Sequence, residues 1–264
     1  MSVSLSNPAG RVYTILKAAG KGDQNTRMLE VWSSVLGGGI SEFEVVKGLT
    51  ALAEALAEIE VLIRSDSSLN HERYLACIAP IRNTISPLYL QSTRQQVVSS
   101  HITPEVLTRL EFCDEVLRKQ EVEELLSEDD LSQIARSASE LFDMIKASVK
   151  DYELRVMLLE AIENVRIYIS QYRIHGIKGI KSGVQRLVGV VVTDMDAIKK
   201  EKAQNSDSIQ RLVEFLTQAE TVISKARKIY KAVKKPIGTL VGFLRAPAVP
   251  EERTEGREDG VIDV

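Results

Sequence analysis

Histidines, cysteines and paired carboxylates are the side chains from which most protein chemistry is assembled, and in this chain they are few and dispersed. His71, His101 and His175 are the only histidines. His71 is followed by Glu72, but Tyr74 and Leu75 occupy the place where an HExxH zinc helix needs its second histidine. Cys77 and Cys113, the only cysteines, each fall inside an apolar helical pattern, so they read as buried thiols and imply no disulfide. The adjacent acids Glu123 with Glu124 and Asp129 with Asp130 cannot converge on one point from a helix; they solvate a surface and favour the positive end of a helix dipole. The sequence has no phosphate loop, dinucleotide fingerprint, nucleophile elbow or S-x-x-K pair. The expectation is a non-enzymatic protein without catalytic residues, cofactor or metal.

One stretch departs from plain helical packing. GIKGIKSGVQRLVG, from Gly176 to Gly189, sets Ile177, Ile180, Val184, Leu187 and Val188 toward one side and Lys178, Lys181, Gln185 and Arg186 elsewhere. A cationic amphipathic segment of this kind can lie in a membrane interface, with its bases near anionic headgroups. The same pattern describes a tight turn between helices, in which Gly176, Gly179 and Gly183 act as a hinge by permitting positive φ and close backbone approach. The turn is the favoured reading.

A second basic element follows. Lys225, Arg227, Lys228, Lys231, Lys234 and Lys235 have no acid among them, and the apolar run GTLVGFL comes after. Bases in a last turn complement the helix dipole, which accounts for part of such a cluster but not for six. Nucleic acid could use the surplus, yet no helix-turn-helix pattern or set of stacking aromatics accompanies it.

The phrase VRIYISQYRIHGIKGIKSGVQRLVG resembles a segment found in all-helical bacterial proteins of uncharacterised function. The resemblance covers that phrase alone. It implies a helical fold and carries over no activity or functional residue.

The elements that must position these residues are helices. Of 264 residues, 44% are hydrophobic and only 5% aromatic, the composition of helices packed through aliphatic side chains. Asn7 before Pro8 opens a first helix that ends at Gly20, and a second is expected from Asn25 to Leu36, with Trp32 in the core. Ser41 with Glu44 reads as a capping box that opens a helix about 33 Å long at 1.5 Å per residue, with Val45, Leu49, Leu52, Leu56, Ile59 and Ile63 in one seam. Asn70 opens a helix that Pro80 should kink or break. Thr103, Ser127 and Asp151 open three more; the last carries Leu154, Leu158, Ala161, Val165, Tyr168 and Tyr172 and is expected to be central. After a helix to about Val192, the polar run KKEKAQNSDS separates a final seam from Ile209 to Val233 that Pro236 stops.

Charge is uneven along the chain although the net is only −3. Glu105 to Asp130 holds ten acids and three bases, whereas Arg173 to Arg245 holds fifteen bases and six acids. Pairing between halves of a bundle and a face for an anionic partner are both consistent with this polarity.

The reading is therefore an all-α multi-helix bundle of roughly eight to ten mostly antiparallel helices over residues 1–245, with a possible sub-boundary near 173–180 and a disordered acidic tail at 246–264. The expected role is a helical interaction or scaffold protein acting through a protein-binding surface, with a protein partner or a second copy. The alternative is a membrane-perturbing effector that exposes 176–192 or 225–245 when triggered, and nucleic-acid binding by the basic C-terminal helix stands third. With no signal peptide or spanning helix in view, the expected location is cytoplasmic, with peripheral membrane attachment as its variant.

Overall fold

Local capping chemistry starts most of the helices. In a computed structural model that describes residues 5–120, 125–204 and 206–226, the Asn7 side chain accepts a hydrogen bond from the Gly10 amide and opens α1 (Pro8–Ala19). α2 (Met28–Gly37) starts three residues later than the expected Asn25, because Arg27 is held extended in a bridge to Thr93. Met28 N donates to Ser92 O and Leu29 N to Leu90 O, while Thr26 O accepts from Arg94 N, so backbone groups that a helix start at Asn25 would have needed are bonded elsewhere. α3 (Glu42–Ser65) has 24 residues, about 36 Å. Its capping box is only half made: Ser41 accepts from the Glu44 amide, while the Glu44 carboxylate takes Lys47 Nζ at 3.0 Å. A complete box stands instead at Thr93 and Gln96, which opens α6 (Arg94–His101).

The region around Pro80 forms two short helices, α4 (His71–Leu75) and α5 (Ile78–Thr84). The break falls at Ala76 and Cys77, ahead of the proline, so Pro80 sits in the first turn of α5, where its missing amide costs no helical bond. α7 (Pro104–Gln120) and α8 (Glu128–Ser148) begin behind Thr103 and Ser127 as their spacing predicts. α9 (Tyr152–Ser170) begins behind Asp151, which accepts from the Leu154 amide. α10 (Tyr172–Thr193) follows after one residue, then α11 (Met195–Gln204) and α12 (Ser206–Lys225).

The described residues thus form twelve α-helices and one 3-10 turn with no strand, an all-α bundle. The three beyond the nine helices read from the sequence come from the α4/α5 break, from α6 and from α11, because the polar run KKEKAQ continues a helix that turns Ile198 and Glu201 inward. Arg211 pairs with Glu140 and Lys225 with Asp130, so α12 runs antiparallel to α8.

Two apolar cores are built. One takes the inward faces of α1 to α7, including Trp32, the full α3 seam, Cys77 and Cys113. The other takes α8 to α12, with α9 at its centre, contacting α8 on one side and α10 on the other. The chain changes core between Leu117 and Leu126, well before the sub-boundary expected at 173–180. At 173–180 it does something different. Ile174 reaches back into the first core, and Ile177 onward belongs to the second. The tail at 246–264 lies outside the described residues.

Candidate functional site

The junction of the two cores gathers the glycine-spaced segment. α10 is bent at Gly176, whose φ of 62° and ψ of −159° only glycine adopts without strain. The bend turns the carbonyls of Ile174 and His175 toward α1, where Arg11 meets them. Its Nε donates to Ile174 O at 2.9 Å and its Nη2 to His175 O at 3.3 Å. Arg11 is only 3% exposed, a guanidinium whose buried donors are satisfied by backbone oxygens.

Gly179 and Gly183 act through space rather than through φ. A Cβ on Gly179 would stand 2.9 Å from Tyr168 Cδ1, and one on Gly183 would stand 3.0 Å from Val165 Cα. Their missing side chains let α10 lie directly on α9, antiparallel to it. Of the three glycines expected to form a hinge, Gly176 bends the backbone and the other two are contact surfaces. Ile177, Ile180, Val184 and Leu187 are fully buried in the second core. That burial favours the turn between helices over the interfacial helix.

The bases of this segment are mostly engaged. Lys178 Nζ donates to Glu58 Oε1 of α3 at 2.5 Å, an ion pair between the two cores. Lys181 is half-buried and has a partner. Arg186 is exposed. Lys225, at the end of α12, donates to Asp130 Oδ1 of α8 at 2.9 Å, which holds the Asp130 carboxyl below its usual range. Arg227, Lys228, Lys231, Lys234 and Lys235 lie outside the described residues, as does GTLVGFL.

His175 belongs to the same junction. Its ring meets Tyr168 edge-on at 5.2 Å between centroids, and its Nε2 lies 3.8 Å from Glu54 Oε2. Burial pushes its pKa below the ordinary 6.5, against the pull of Glu54. This arrangement positions and couples helices. The three histidines do not meet, and among the described residues no group of three His, Cys, Asp or Glu side chains is placed to hold a metal.

Two features escaped the sequence reading. Arg11 carried a signal, since it precedes Ile15 by one turn on the apolar side of α1 and a base there demands buried acceptors. The nearness of Cys77 and Cys113 carried none. Both thiols are free, buried and turned to the same acceptor, the Tyr74 carbonyl, at 3.4 and 3.5 Å. The neighbouring Cys77 and burial push the Cys113 thiol up, while the contact with Cys113 holds Cys77 below its ordinary value.

No protein-family model, curated protein or solved structure matches the chain. No helix among the described residues is long and apolar enough to cross a membrane.

Proposed function

We propose that this protein is a non-enzymatic helical scaffold that binds an acidic protein partner through the basic run beginning at Lys225. The observation that carries this reading is the Lys225 to Asp130 ion pair. It anchors the start of the run on the outside of the second core, with the Lys225 side chain 59% exposed. The adjoining first turn of α8 offers three acids, Glu128, Asp129 and Asp130, and six bases run from Lys225 to Lys235. Six bases against three acids make a positive excess by count, and complementary charge of that kind steers association and selects the partner. The Lys178 to Glu58 and Arg211 to Glu140 pairs support internal pairing elsewhere, which directs attention to the C-terminal run.

In this reading the protein is cytoplasmic and bacterial, and the docking element is α12 with the basic sequence after it, where Tyr230 and Val233 keep the apolar spacing of the heptads. The test is affinity capture with the full chain, then titration of the purified partner. Saturable binding that weakens steeply with salt and is lost in a Lys228→Glu, Lys231→Glu, Lys234→Glu triple variant is expected. Equal binding by that variant, or binding and leakage of anionic liposomes without any protein partner, would sink the reading in favour of the membrane alternative.

A further inference from the structure

We propose that Cys77 and Cys113 form a peroxide-responsive dithiol that closes into a reversible intramolecular disulfide. The site lies away from the basic run and does not rest on the function proposed above.

The two cysteines are 36 positions apart, one at the corner between α4 and α5 and the other in the middle of α7. Folding brings both sulfurs onto one carbonyl oxygen, that of Tyr74. Two sulfurs at 3.4 and 3.5 Å from one oxygen stand no more than 6.9 Å apart, and the two thiols influence one another directly. A packed core with no redox role has no need to direct two thiols at one acceptor.

The surroundings distinguish the two sulfurs. Arg109, one turn before Cys113 on α7, donates to the Arg73 carbonyl at 2.8 Å and so holds its guanidinium over the α4 corner. The contact with Cys113 is the main influence favouring the Cys77 thiolate, and the Arg109 charge, shared with Glu105 at 2.6 Å, adds to it. Both sulfurs are buried, Cys113 with Leu110 and Leu117 on the same face of α7. Cys77 is therefore the attacking sulfur and Cys113 the resolving one.

Access comes through α4. That helix is a single turn of five residues with none of them buried, and the neighbouring Ala76 and Ala79 are exposed. A single turn whose apolar side chains, Tyr74 and Leu75, are only partly buried against the core opens locally more readily than a long helix and admits a molecule the size of hydrogen peroxide.

The chemistry balances in two steps. The Cys77 thiolate attacks one peroxide oxygen, the O–O bond breaks, and Cys77 sulfenic acid forms with release of hydroxide. The Cys113 sulfur then attacks the Cys77 sulfur. The S–S bond forms as the S–OH bond breaks, and the Cys113 thiol proton leaves with the hydroxyl as water. The released hydroxide takes up the proton that Cys77 first gave to solvent. Two thiols and one peroxide thus yield one disulfide and two waters, the sulfurs oxidised by two electrons and the peroxide reduced by two.

The test treats the intact full-length protein with hydrogen peroxide and maps its peptides by mass spectrometry without reduction. The expected product is one cross-linked pair joining the Cys77 and Cys113 peptides, lighter by two hydrogens and returned to free thiols by dithiothreitol. The oxidised protein should melt several degrees higher, because the cross-link restricts the unfolded chain. In Cys113→Ser, Cys77 should stop at a sulfenic acid that dimedone traps. In Cys77→Ser, Cys113 should stay unmodified under the same dose. Free thiols in the oxidised wild type, intermolecular disulfides, or sulfinic acid without cross-link would each overturn the proposal. The wild-type map alone decides if either variant fails to fold.

Discussion

Arg11 Nε stands 2.9 Å from the carbonyl oxygen of Ile174, 163 positions later in the chain. One end of this contact lies in the first helix and the other on the bend that leads α10 into the second core. The guanidinium thereby ties together the two cores at the point where a backbone kink leaves acceptors to be satisfied. Replacing it with an apolar residue of similar length, Arg11→Met, strands those acceptors and should lower stability by about 2–4 kcal/mol. Urea denaturation followed by circular dichroism checks this. An unchanged midpoint would show that the contact is dispensable.

The glycines of α10 should separate by role. Gly176→Ala forces a side chain into a backbone region reserved for glycine and should cost about 1–3 kcal/mol. Gly189 is exposed in the same helix, has an ordinary helical environment and would place a Cβ in open space. Gly189→Ala should therefore stabilise the protein by about 0.5–1 kcal/mol through lower unfolded-state entropy. Thermal melts of the two variants should move in opposite directions, and parallel shifts would contradict the assignment of the bend to Gly176.

His175 makes stability fall on acidification. Burial places its native pKa below the unfolded value near 6.5, so the unfolded chain binds the proton more readily. The contribution of neutral His175 is complete above about pH 6.5 and is lost as the pH falls toward the lowered native value. Glu54 and Glu58 of α3 oppose the shift, Arg11 of α1 adds to it, and Tyr168 of α9 packs on the ring. His175→Gln should flatten stability against pH in the interval just below 6.5. An unchanged slope would place the titration elsewhere.

Glu201 is a buried carboxylate, 3% exposed, with Oε2 accepting from the Lys150 amide at 3.3 Å and Oε1 without a hydrogen-bond partner. Glu201→Gln keeps an acceptor for Lys150 and removes an incompletely compensated charge. The surface hollow of about 210 Å³ that Glu201 lines gives the new amide room to meet water. Stability should rise by about 1 kcal/mol, a gain that calorimetry can resolve. A loss instead would mean that the charge is held by an interaction beyond the Lys150 amide.

The sequence by itself determined the all-α class, the helix starts at Asn7, Ser41, Thr103, Ser127 and Asp151, and the buried seam from Val45 to Ile63. These are consequences of neighbours a few residues apart: a cap reaches an amide three positions on, and a seam repeats every turn. Local reading also met its limits locally. Glu44 had two partners within one turn and took Lys47, and the isolated bridge between Arg27 and Thr93, residues far apart in sequence, shifted the start of α2. Only the tertiary structure decided that the chain builds two cores, that Arg11 serves a bend in α10, that Gly179 and Gly183 are contact surfaces while Gly176 is the bend, and that Cys77 meets Cys113. Each of these depends on which helix lies against which. Pairing among amphipathic helices is chosen by the fit of whole faces, and no short window of sequence records that fit.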